Sequence, residues 1–191
     1  MKSLLLNGFN EVDGRMVFDG LHVIQAGAGQ IPLLATGPGP GSVAWDTPGH
    51  PNPELRGVHE EPFTYNDIMK AASAKYRKLP RVLVSHSYND YLGGRAALTR
   101  TGARGTTDQP IPDNVRMFDI SGSPHINSRE KNPECGEPPG QIDWAPAVRA
   151  QIVMLDEWVR GKTPPPSRLF ELEARPNDAE VFQAQIGRAH V

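Results

Sequence analysis

Residues 81–85, RVLVS, hold an uninterrupted apolar core of three residues. A strand that does not alternate apolar and polar side chains is covered on both faces, and such strands belong to parallel sheets flanked by helices. The preceding segment agrees. Over 66–79 the pattern predicts a helix: Asn66 is a fitting cap, and Ile68, Ala72, Tyr76 and Leu79 share one face at spacings of four, four and three. Pro80 ends it. A helix followed by a buried strand is half of a βαβ unit, so the expected class is α/β.

Residues 115–120, VRMFDI, predict a second buried strand. It stops at a breaker cluster, Ser121 to Pro124, and then presents His125. Ligands of α/β sheets gather at the carboxyl ends of the strands. A histidine there has a near-neutral pKa suited to proton transfer. The other reading of His125 is a surface loop residue with no role. Past the RVLVS strand come His86, Asn89 and Asp90. Asp90 is the acidic candidate; its alternative is an Asx-turn or the cap of a short helix expected over 92–100.

The remaining segments are less regular. Residues 2–6, KSLLL, read as the tail of an apolar helix or strand that Asn7 and Gly8 stop. Residues 10–14 read as a polar turn. Met16–Phe18 and Leu21–Ile24 together predict one buried strand bent at Asp19–Gly20. The glycines of AGAG (26–29) match no phosphate loop: no G-x-x-x-x-G-K-[ST] is present and Pro32 interrupts any following helix. They suit a close backbone approach or a sharp turn. Residues 30–64 form a long Pro- and Gly-rich insertion, of the kind that serves as a lid or binding loop or is disordered. Its His50 and His59 lack metal-ligand spacing, and no metal or cofactor is expected. The helix expected over 143–160 has Asp143 as N-cap, Pro146 in its first turn and a stripe of Ala145, Val148, Ile152, Leu155 and Val159, widened by Met154 and Trp158. Gly161 and Pro164–Pro166 end it. The stretch from there to Gln185 is polar and unpatterned.

At 191 residues the chain is long enough for one domain with a core. Its net charge of -2 gives no electrostatic case for nucleic acid. No apolar run reaches the length of a membrane span, and the one at the N-terminus is too short for a signal peptide. Oligomeric state and compartment stay open. The single cysteine, Cys135, excludes an internal disulfide. As a nucleophile it is disfavoured, because the adjacent Glu134 and Glu137 raise a thiol pKa.

Five blocks, GFNEVDGRMVFDG, AGAG, NDYLGGRAAL, PDNVRMFDISGSPH and DEWVRGKTPPPSR, occur in an order that resembles the bacterial alpha/beta hydrolase domain family from about residue 7 to 170. The resemblance implies a serine-dependent hydrolase of esters or amides. In the family a nucleophile block similar to G-x-S-x-S-G-R precedes GFN, with the serine on a strained strand-to-helix turn. The present chain has no G-x-S-x-G, and Ser3 has no glycine-flanked turn. The resemblance therefore implies the C-terminal part of an α/β-hydrolase fold, truncated at the N-terminus, with the nucleophile and oxyanion hole upstream of Met1. Such a chain is expected to be inactive by itself. The family's acid position, similar to T-E-Y-W, falls on Asn89-Asp90-Tyr91-Leu92. Its histidine, similar to G-T-Q-H, falls on Gly122-Ser123-Pro124-His125. Asp90 and His125 are thus the implied acid and base. Residues 186–191, IGRAHV, read like a translated sequencing-library adapter, which leaves 1–185 as the domain.

Two rivals remain. A non-catalytic small-ligand or protein-binding α/β module explains the absent serine elbow. A cysteine hydrolase pairing Cys135 with His125 would be sensitive to iodoacetamide.

Overall fold

The computed structural model describes residues 1–25, 27, 62–92, 94, 96–102, 107–125, 142–164, 166–170, 172–173 and 185–186. Three parallel strands make its central sheet: β3 (Gly20–Ile24), β4 (Arg81–Ser87) and β5 (Val115–Ile120), in the order β3-β4-β5. The expected α/β class is the one observed. β4 is central and buried along all but its first residue, as its unbroken apolar run requires. The register sets Leu21 beside Val82 and Val23 beside Val84. It continues with Val82 beside Val115 and Val84 beside Met117. These side chains lie on one face, because side chains two apart along a strand point the same way.

That face is closed by α1 (Lys2–Leu6) and α2 (Tyr65–Ser73). Leu5, Tyr65, Ile68, Met69, Ala72 and Tyr76 join the strand valines and Met117 in a single buried cluster. α2 is capped by Thr64 rather than Asn66. The Thr64 hydroxyl accepts from the Asp67 amide while the Asp67 carboxylate accepts from the Thr64 amide, a reciprocal capping box. The helix ends at Ser73, short of the expected Leu79. Tyr76 keeps its place in the core because its hydroxyl accepts from the Asn10 amide and donates to the Leu4 carbonyl.

The opposite face of the sheet carries α4 (Ala145–Val159). The expected stripe is rotated. Gln151 and Trp158 are the buried members, whereas Ile152 is 53% and Val159 38% exposed. A polar requirement on the sheet explains the rotation: the Ser85 hydroxyl on β4 donates to Gln151 Oε1 at 2.6 Å. The N-cap position is Trp144 rather than the expected Asp143, which stands two residues ahead of the helix and accepts from the Ala145 amide. At the other end Gly161 has φ +91, with bonds from the Gly161 amide to the Trp158 carbonyl and from the Lys162 amide to the Glu157 carbonyl. That is a Schellman stop.

The expected bent strand over 16–24 is two elements. Met16 belongs to a small hairpin of β1 (Glu11–Val12) and β2 (Arg15–Met16), turned at Asp13 and Gly14, both at positive φ. Asp-Gly between two strands favours this type I′ turn. Val17 and Phe18 are about half exposed, and the sheet strand starts only at Gly20. The expected helix over 92–100 is a 3-10 turn at Ala96–Thr99, preceded by the short α3 (Tyr88–Leu92).

Part of the segment read as unpatterned is structured. Arg168 bridges Phe118 in parallel and so extends the sheet beyond β5. Farther on, β6 (Leu172–Glu173) pairs antiparallel with β7 (Gln185–Ile186). Cys135, His50, His59 and all but 62–64 of the 30–64 insertion lie outside the described residues, as do 187–191. Among the described residues, no helix is long and apolar enough to cross a membrane.

Candidate functional site

β4 and β5 run parallel and adjacent, so the loops at their carboxyl ends leave the sheet side by side. β4 passes directly into α3, which places Asp90 one turn beyond the strand. β5 ends in a turn with Gly122 at φ +63, and His125 follows. Although 35 residues apart in sequence, the two side chains meet: His125 Nδ1 lies 2.5 Å from Asp90 Oδ1. Asp90 is 1% exposed and the His125 side chain 43%. The acid is sunk in protein while the imidazole reaches the surface.

The two oxygens of Asp90 have different partners. Oδ1 faces His125, and Oδ2 accepts from the Ser87 amide at 2.6 Å. Asp90 is the third residue of α3 and bonds back to the Ser87 amide just ahead of that helix, so it caps no helix over 92–100, the alternative drawn from sequence. Since that carboxylate only accepts, Nδ1 of His125 carries the proton. The two loops are also stitched through Ser123, whose carbonyl accepts from the Tyr88 amide at 3.2 Å and whose hydroxyl donates to the Ile120 carbonyl.

A second histidine–aspartate pair lies buried on the neighbouring register position. His86 faces Asp119 across β4 and β5, with Nδ1 3.2 Å from Asp119 Oδ1 and both side chains fully buried. Asp119 Oδ2 accepts from the Tyr91 hydroxyl at 2.8 Å and the Phe170 amide at 2.7 Å. Arg100 Nη2 stands 3.8 Å from it. Burial, then the Asp119 charge, holds the Tyr91 hydroxyl far above the usual phenol range. Tyr91 is the residue after Asp90, so this network ties the acid-bearing turn to the sheet and to the 167–170 segment. His86, placed past the strand end by sequence, is inside the strand.

On the α4 face His22 Nε2 lies 3.1 Å from the Ser85 hydroxyl. A serine beside a histidine invites a nucleophile reading, but the surroundings are wrong for it. Ser85 is 1% exposed and its proton is committed to Gln151. Among the described residues, buried His22 Nδ1 has no hydrogen-bond partner and no carboxylate orients the ring. Burial lowers the His22 pKa, against a smaller raising effect of Gln151. The ring is a neutral structural donor.

Gly27, after β3, acts as its type suggests. An added Cβ at Gly27 would sit 2.0 Å from the Gly94 carbonyl oxygen, and Lys2 Nζ donates to the Gly27 carbonyl at 3.0 Å. The segment is held against the loop that follows Asp90 by direct backbone contact. Among the described residues no three His, Cys, Asp or Glu side chains group closely enough to hold a metal ion.

A parallel sheet with a buried acid and a half-exposed histidine on neighbouring strand ends has the architecture of the α/β hydrolases. Comparison with known families is specific: residues 3–185 match the alpha/beta hydrolase domain. With nearly the whole chain covered, the protein belongs to that family. No curated protein and no solved structure matches it.

Sequence reasoning singled out Asp90 and His125, which the structure brings together, and missed the parts that hold them. Gln25, directly after β3, donates through Nε2 to the carbonyls of Pro124 and His125. Nothing in its local sequence marks it. The capping box at Thr64, by contrast, carries a legible T-x-x-D signature.

Proposed function

We propose that Asp90 and His125 are the acid and the base of a serine-dependent hydrolase acting on small carboxylic esters or amides. The observation that carries this reading is the 2.5 Å contact between His125 Nδ1 and a buried Asp90 whose second oxygen is fixed by the Ser87 amide. With Nδ1–H held by Asp90, Nε2 presents a lone pair. It takes the proton of the nucleophilic serine hydroxyl as that oxygen attacks the substrate carbonyl, and Asp90 stabilises the imidazolium. The imidazolium then protonates the leaving alcohol or amine, which departs and leaves an acyl-enzyme. Water, deprotonated in turn by Nε2, releases the acid and restores the serine. The serine belongs to a G-x-S-x-G elbow that the 191 residues do not contain, so by this reading these residues supply only the acid–base half.

The test is fluorophosphonate labelling together with ester turnover, run on the 191-residue chain and on the protein made from the full reading frame at its locus. The chain is expected to label not at all, and the full-frame protein to label at an elbow serine. His125→Ala in the latter should cut turnover by about 10³-fold or more. If the locus encodes no elbow and ligands stabilise the chain without turnover, the protein is a binding module. Iodoacetamide-sensitive turnover by the chain itself would favour the Cys135 reading.

A further inference from the structure

We infer that Gln25 is a positioning residue for the base: it holds the His125 loop at the distance from Asp90 that the acid–base pair requires. The inference rests on the hydrolase reading of that pair. Gln25 follows β3, while His125 follows β5, and β4 with its acid-bearing turn lies between them. The Gln25 amide donates to the Ser85 carbonyl at 2.8 Å, which continues the β3–β4 ladder and fixes its backbone. From there Nε2 donates to the Pro124 carbonyl at 3.4 Å and to the His125 carbonyl. One carboxamide thus grips two successive carbonyls of the loop that carries the base, including that of the base itself.

The backbone of Gln25 points the same way. It sits at φ +54, in the left-handed region that disfavours a residue with a Cβ. Among the described residues, Asp13 in the hairpin turn is the only other non-glycine there. Strain of this kind persists where the surroundings over-determine it. Glycine would meet the backbone demand more easily, and glutamine supplies what glycine lacks, a donor long enough to reach the third strand's loop. Glutamate would have the reach but only accepts, and it would face two carbonyl oxygens.

The two clamps on the loop are distinct. Ser123 ties it to the Tyr88 amide at the start of α3. Gln25 ties it to the far side of the sheet. His125 thereby stands between one anchor on the acid's own element and one on β3.

The test is nuclear magnetic resonance of the His125 ring and the Gln25 carboxamide, which needs no turnover. In the unsubstituted protein the Gln25 carboxamide protons should exchange with water about tenfold or more slowly than those of a free glutamine. Gln25→Gly relieves the backbone and removes the clamp. Gln25→Glu keeps the length and removes the donors. Both should speed exchange of the His125 Nδ1 proton about tenfold or more and move the ring's titration midpoint, with Gln25→Gly melting no lower than the parent. Unchanged His125 ring signals in both variants overturn the inference, and so do Gln25 carboxamide protons that exchange at the free rate. Failure of the hydrolase reading would appear separately, as absent turnover in the full-frame protein while its His125 ring still responds to Gln25.

Discussion

Asp90 serves two neighbours with one carboxylate, and under the proposed function only one of these contacts is chemical. Its Oδ2 closes the turn at Ser87, and its Oδ1 sets the tautomer of His125. Asp90→Asn keeps the shape but offers an amide in place of an acceptor on one side. By the proposed function, turnover of the protein made from the full reading frame is expected to fall by about 10⁴-fold, with the fold retained, as circular dichroism and steady-state kinetics would show. His22 makes a prediction of a different kind. Its pKa is lowered by burial below the ordinary 6.5, so below that pH the unfolded chain binds a proton that the folded chain does not. Stability is therefore fully present above 6.5 and declines as pH falls through it. Urea midpoints measured from neutral to acid pH should fall less steeply in His22→Asn than in the parent. Equal slopes would mean that the ring does not resist protonation.

Among the elements, α4 shows how a polar neighbour overrides a hydrophobic pattern. Ile152 and Val159 suggest one face, yet the helix turns Gln151 inward to meet Ser85 and sets Trp158 beneath Arg81 and Arg116, whose guanidinium carbons stand 5.3 and 5.1 Å from the indole ring. Trp158 is 4% exposed, and Trp158→Ala should cost about 3–5 kcal/mol in urea unfolding. At the helix end, Gly161→Ala forces a Cβ into φ +91 and should cost about 1–2 kcal/mol, although nothing lies near enough for a clash. An unchanged midpoint there would mean that the helix ends without needing the left-handed residue.

For the molecule as a whole, the joint between sheet, acid turn and C-terminal segment is Asp119. It gathers His86, Tyr91, Phe170 and Arg100 in a region closed to water. Asp119→Ala strands several buried donors at once. It should cost about 3–5 kcal/mol and lower turnover indirectly, through the Tyr91 neighbour of Asp90. Asp119→Asn, whose one carbonyl oxygen can keep at most the two contacts from Tyr91 and Phe170, should recover part of both losses.

Local pattern in the sequence was enough for the parallel β4 and β5, the helices beside them and their order, because burial on both faces demands apolar runs and chain direction sets which ends are adjacent. Asp90 and His125 were legible through the spacing of family-like blocks around them. The Gln25 clamp, the His86–Asp119 pair and the inward turn of Gln151 were not. Their partners lie 100, 33 and 66 residues away in sequence. A glutamine or histidine is written with the same letter whether it is solvated or bonded in the core. Which of the two it is depends on the desolvation and geometry that strand pairing creates, and those exist only once the chain has folded.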